Sequence, residues 1–159
     1  MMSVPDPALV VEGIVGGFVV RFDRSYPPDG DLWVERLVPE EVALGLHPLG
    51  LETSGTLAEL ALVEPGAEVV AGEPFGSLEA EKFVGPLLAP LDGVVTAVNH
   101  AALADPGAVQ ADPFGVWLVR VALTPGSWDR AGLVSGAEAI RALFEARVAD
   151  YRLRGVLAE

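Results

Sequence analysis

Two stretches of the chain repeat one another: Pro65-Gly66-Ala67-Glu68-Val69-Val70-Ala71-Gly72-Glu73-Pro74-Phe75-Gly76 and Pro106-Gly107-Ala108-Val109-Gln110-Ala111-Asp112-Pro113-Phe114-Gly115. Each reads as a Pro-Gly turn, a short apolar piece, an acidic-Pro turn, then Phe-Gly leading into a strand. Repeats announce architecture, and two copies are too few for a solenoid. The expectation is a mainly β sandwich or barrel of two half-units with approximate two-fold symmetry. Eighteen Gly and thirteen Pro spread along 159 residues agree, since many short strands need many tight turns. That length suits one compact domain with room for little more than terminal additions.

Strands are predicted over 9–15 and 18–22, with Gly16-Gly17 as a turn or bulge between them. Tyr26-Pro27-Pro28-Asp29-Gly30 is a break, followed by strands at 32–38 and 42–46 and a short helical or irregular link over 47–55. Residues 56–62 read as a further strand. Beyond Ser135 the pattern becomes helical. Ser135 and Glu138 have capping-box spacing, and Ile140, Leu143, Phe144, Val148 and Tyr151 fall on one face. A helix over 136–153 is expected to pack that stripe on the sheet. Arg147, Arg152 and Arg154 suit its C-terminal dipole. The organisation is therefore an extension over 1–24 with strands, a β domain over 25–134 and a helical segment over 135–159.

The formal net charge of −13 argues against nucleic-acid or anionic-membrane partners, which need a basic patch. It favours partners with basic docking faces. No cysteine is present, so disulfides, thiolate metal sites and cysteine nucleophiles are excluded. The early apolar run lacks a basic leading segment, is broken by Glu12, Gly13, Gly16 and Gly17, and is too short to span a bilayer. A cytoplasmic protein is expected. His47 and His100 have no acid at motif spacing, and no nucleophile triad or phosphate loop occurs. Trp33 and Trp117 are assigned to the core and Trp128 to a C-terminal link. No catalytic constellation stands out, and none is assigned.

Among ten basic residues only Lys82 is a lysine. Arginine serves solubility equally well, but only lysine offers a primary amine that can be acylated. Lys82 follows Ser77-Leu78-Glu79-Ala80-Glu81 and precedes Phe83-Val84, at the predicted tip of a β-hairpin. Such tips recruit Asn-Gly or Asp-Gly; Glu81-Lys82 is chemistry the backbone did not require. A ligase needs an amine projecting into solvent from a rigid support, with recognisable neighbours. Lys82 is therefore the candidate attachment point of a lipoyl arm, with Glu79 and Glu81 as its ligase-recognition neighbours.

The stretches Leu32-Trp33-Val34, Ala43-Leu44-Gly45-Leu46, Ala71-Gly72-Glu73-Pro74-Phe75-Gly76 and Glu79-x-x-Lys82 resemble those of glycine cleavage system H proteins. So do Leu88-Ala89-Pro90-Leu91-Asp92-Gly93-Val94-Val95-Thr96-Ala97-Val98-Asn99 and Asp112-Pro113-Phe114-Gly115 with Trp117-Leu118. The resemblance implies a lipoyl-domain-like barrel-sandwich hybrid with a C-terminal helix, and a non-catalytic carrier with lipoate covalently on Lys82. It implies shuttling of an aminomethyl group and electrons among glycine decarboxylase, aminomethyltransferase and dihydrolipoyl dehydrogenase, after loading by a lipoate ligase or lipoyltransferase. Departures leave two alternatives open. Leu32 stands where the family has Glu, Pro86 where it has Asp, Phe83 replaces a small residue, and Leu49 lies in a normally polar loop. The cleft expected to hold the amine-loaded arm would be apolar. Hence an H-like carrier for another lipoate-dependent pathway, for example sulfur oxidation, or an unlipoylated H-like scaffold, competes with the first reading.

Overall fold

Five successive residues of one strand, Val42 to Leu46, are buried. Side chains of a strand alternate between faces, so an unbroken buried run requires cover on both sides. The computed structural model, which describes residues 10–157, shows what supplies it. In chain order the strands are β1 (Glu12–Val15), β2 (Phe18–Arg21), β3 (Leu32–Val38), β4 (Glu41–Leu46), β5 (Leu57–Leu62), β6 (Glu68–Val69), β7 (Pro74–Ala80), β8 (Val84–Leu88), β9 (Gly93–Val98) and β10 (Val119–Leu123). The helices are α1 (Pro48–Ser54), α2 (His100–Ala104), α3 (Pro106–Ala111), α4 (Ser127–Arg130) and α5 (Ala137–Leu153).

A five-stranded antiparallel sheet has the order β3-β4-β10-β9-β6, and a three-stranded sheet the order β5-β7-β8. On one side of β4, Val42, Leu44 and Leu46 join Leu60, Phe75, Leu78 and Leu87 of the smaller sheet in a single core. This is the barrel-sandwich hybrid expected of the chain. On the other side, Ala43 and Trp33 pack with Val15, Val20, Tyr26, Leu49 and the α5 residues Ile140, Phe144 and Val148. Trp33 pairs across the ladder with Gly45, and its ring occupies the space a side chain there would take. A Cβ at Gly45 would stand 2.2 Å from the indole carbons, so only glycine admits the ring.

The β1–β2 hairpin forms around Gly16-Gly17 as expected; of the first strand expected over 9–15, Leu9 lies outside the described residues and Val10 and Val11 are not part of β1. The helix over 137–153 is present with Ile140, Phe144 and Val148 buried and Leu143 and Tyr151 half-buried. Its capping box is not. The N-cap is Gly136, one residue past Ser135, and the Ser135 Oγ lies 2.7 Å from Ser25 Oγ. The hydroxyl has a tertiary partner in place of the local one.

The two repeat copies also part company. The first is turn and strand, through β6 into β7; the second folds as α3, with Pro106 in its first turn. Val69-Val70 favours the extended chain, whereas Ala108-Val109-Gln110-Ala111 lacks that β-branched pair and follows a helix-compatible Pro.

His47 ties α1 to the Gly30 segment beneath α5. Its Nδ1 accepts from the Gly50 amide at 3.1 Å, capping α1, so Nε2 carries the proton and donates to Gly30 O at 3.2 Å. The buried ring packs edge-on against Phe144 at 5.1 Å and Tyr26 at 6.0 Å. Burial and then Arg147 lower its pKa from 6.5 to about 3. His100, by contrast, is exposed.

Two outcomes follow from this packing. Gly45→Ala forces the Trp33 ring aside and lowers unfolding free energy by roughly 1–3 kcal/mol in urea titration, with the m-value unchanged. The folded His47 ring stays neutral while the unfolded one takes up a proton below its ordinary pKa. The unfolded state therefore binds more protons between the two values, and stability falls as pH drops from 6.5 toward 3. Urea midpoints measured from pH 7 to 4 should show this decline, reaching about 3 kcal/mol at pH 4, and the slope should flatten in His47→Asn.

Candidate functional site

The register of β7 and β8 pairs Glu79 with Val84 and leaves Ala80 to Phe83 as the connecting turn. The Ala80 amide donates to Phe83 O at 2.8 Å, so Glu81 and Lys82 are the two central residues. No described residue other than glycine has positive φ, so the left-handed geometry of an Asn-Gly tip is absent. The support comes from elsewhere. The Glu81 amide donates to Thr56 O at 2.9 Å and the Lys82 amide to Ser54 O at 2.8 Å. The hairpin tip thus leans on the loop that joins α1 to β5.

Gly55, between those two carbonyls, has φ 80° and ψ −162°, a conformation essentially reserved for glycine. A Cβ there would also lie 2.8 Å from Glu81 Oε1. Ser54, Gly55 and Thr56 were not singled out by the sequence reading. The one available signal was a glycine directly after a short helix, which reads as an ordinary C-cap.

Lys82, Glu79 and Glu81 are all exposed, and the structure brings them together on this tip. Glu79 lies opposite Glu59 on the neighbouring strand. None of the three takes part in an ion pair among the described residues. Two like charges face one another across the ladder with no cation between them, an arrangement that costs rather than adds stability.

Beside the tip runs a groove of about 280 Å³ between the Pro27–Leu32 segment and the β7–β8 hairpin. Phe83, Pro86 and Leu88 line it from the hairpin, and Asp29, Asp31 and Leu32 from the other segment. Leu32 and Pro86 therefore lie where the sequence reading put them. Leu49 does not. It is fully buried in the cluster beneath α5 and contributes nothing to the groove. Asp31 is half-buried, and desolvation raises its carboxyl above the ordinary range while the Arg147 charge opposes that rise.

Arg147, assigned by sequence to the helix dipole, instead reaches across to the groove wall. Its guanidinium donates to Pro28 O at 2.5 Å and to Gly30 O at 2.6 Å. The three tryptophans lie away from the tip. Trp33 is buried and donates to Pro113 O at 3.0 Å; Trp117 is half-buried beneath Arg120, and Trp128 packs beneath Arg36. Among the described residues no cluster of His, Asp or Glu is arranged to hold a metal ion, and no helix is long and apolar enough to cross a membrane.

Comparison with known proteins agrees with this geometry. The family model described as glycine cleavage H-protein matches residues 24–146. A glycine cleavage system H protein of Mycobacterium avium is 38% identical over 128 residues, covering 80% of this chain and 89% of that protein. One from Corynebacterium jeikeium is 38% identical over 107 residues, covering 67% of this chain and 80% of its own. The crystal structure of a glycine cleavage system H protein from Mycobacterium marinum matches with a TM-score of 0.62 and 29% identity, over 87% of this chain and 100% of that one. A β sandwich with an acylatable amine on a braced tip, and relatives matched over most of their length, have one consequence: the chain belongs to the glycine cleavage H-protein family, the non-catalytic carriers that bear lipoate on a lysine for the glycine cleavage system.

Proposed function

We propose that Lys82 is the lysine that receives the lipoyl group, and that Glu79 and Glu81 are read by the lipoate ligase or lipoyltransferase that installs it. One observation carries this reading: the chain's single lysine stands exposed on a hairpin tip whose backbone is bonded to a second loop. The residues present fit the group. The ammonium of Lys82 has no ion-pair partner among the described residues, and the apolar groove beside it offers a surface for a hydrocarbon arm.

When attached, lipoate supplies a disulfide that can accept a one-carbon unit and electrons. The chain supplies the rest. The braced tip holds the tether's origin fixed, so a long arm reaches partner active sites at high effective concentration. Phe83 and Pro86 provide an apolar wall, and Asp31 lies beside Leu32 on the segment that faces them. That carboxylate can face a cation in a groove where Leu32 and Pro86 supply no charge. The acidic surface favours partners with basic docking faces, named by this reading as glycine decarboxylase, aminomethyltransferase and dihydrolipoyl dehydrogenase. Residues 25–134 form the carrier domain in this scheme, with 1–24 and 135–159 as additions, and the cytoplasm is the compartment.

The uncharged residues Leu32 and Pro86 favour a second reading, a carrier of the same kind serving another lipoate-dependent pathway such as sulfur oxidation. An unlipoylated scaffold is the third. Coexpression with a lipoate ligase separates them. Intact mass should rise by one lipoyl group in the wild type and stay unchanged in Lys82→Arg, which keeps the charge but cannot be acylated. No increase in the wild type would leave the scaffold. Lipoylated protein should then restore glycine cleavage when mixed with the other three components, and Lys82→Arg should restore none. A lipoylated protein inert in that mixture would point to the other pathway.

A further inference from the structure

The brace beneath the Lys82 tip is itself held from behind. Gln110, on α3, lies against the far side of the loop that follows α1. Its Oε1 accepts from the Leu57 amide at 3.0 Å, and its Nε2 donates to Gly55 O at 3.0 Å. The partners fix the orientation of the carboxamide, because one is an N–H and the other a carbonyl. The loop alternates like a strand. Gly55 O and Leu57 N face Gln110, while Ser54 O and Thr56 O face the tip and accept from Lys82 and Glu81.

Only a side chain with both an acceptor and a donor at one end can pair with the loop in this way. Glutamate of the same length offers acceptors alone, and methionine offers neither strong group. Gln110 is half-buried, and its carboxamide makes both of its recorded bonds to the loop.

We propose that Gln110 is a positioning residue: through the Ser54–Leu57 loop it fixes the direction in which Lys82 is presented to the enzyme that modifies it. This rests on the reading of Lys82 as the lipoylated residue. A tip released from its brace still exposes the amine, but a ligase must order it on binding and loses affinity accordingly.

The test compares wild type, Gln110→Met and Gln110→Glu as full chains. Amide hydrogen exchange is read at Glu81 and Lys82 and, as a control, at the β4 and β10 residues of the sheet centre. Lipoylation by a lipoate–protein ligase with ATP and free lipoate is followed by intact mass over a range of carrier concentrations. In both variants exchange at Glu81 and Lys82 should rise at least tenfold with β4 and β10 unchanged. The kcat/KM for lipoylation should fall at least fivefold, mostly through KM. Exchange that rises equally at β4 and β10 would reduce Gln110 to a stability role and overturn the proposal. So would lipoylation kinetics that match the wild type despite a freed tip. A wild-type protein that takes no lipoate refutes the carrier reading instead, and with it the modifying step; unchanged exchange at the tip refutes the brace whichever way lipoylation turns out.

Discussion

Double-sided burial of β4 is the constraint from which the rest of the molecule follows. A strand with five consecutive buried residues cannot be satisfied by one partner layer. The smaller sheet covers one face and brings the β7–β8 hairpin with it; α5 and the β1–β2 hairpin cover the other. The helix therefore does more than close a core. Because it docks on the back of the same strand whose neighbour β3 begins at the groove, Arg147 can reach the carbonyls of Pro28 and Gly30. His47 links these regions by capping α1, bonding to Gly30 O and packing its ring on Phe144.

A carrier must hold the root of its arm still while leaving the end free, and the structure divides those tasks between backbone and side chain. The backbone amides at 81 and 82 are spent on Thr56 and Ser54, which orders the tip without any special turn residue. The lysine side chain is spent on nothing among the described ion pairs. Around it, Glu59, Glu79 and Glu81 accumulate charge that the fold itself does not neutralise. That arrangement opposes stability locally, as expected where a surface is kept for a partner.

Several elements were legible in the sequence because their determinants are local. β3 was expected over 32–38 and is observed as Leu32–Val38; α5 differs by one residue at its start. The apolar stripe of Ile140, Phe144 and Val148 faces the core because helical periodicity leaves no other face. Errors arose where a distant group competed. Ser135 was expected to cap α5, but Ser25, 110 positions away, holds its hydroxyl. Leu49 was expected to make the groove apolar, yet α1 turns it into the cluster under α5. The second repeat copy became a helix because turn-like spacing says little about what lies between turns.

By itself the sequence determined that this is a strand-rich, acidic chain with one acylatable amine, and it named that amine. Residue type and spacing are enough for this, since no other side chain offers the chemistry. What holds Lys82 in place was decided by the tertiary structure. Its brace joins residues 54–57, 81–82 and 110, and the groove beside it joins 27–32 to 83–90. Those contacts are hydrogen bonds and apolar surfaces between segments far apart in the chain, and only the packing of β4 between its two layers makes them neighbours.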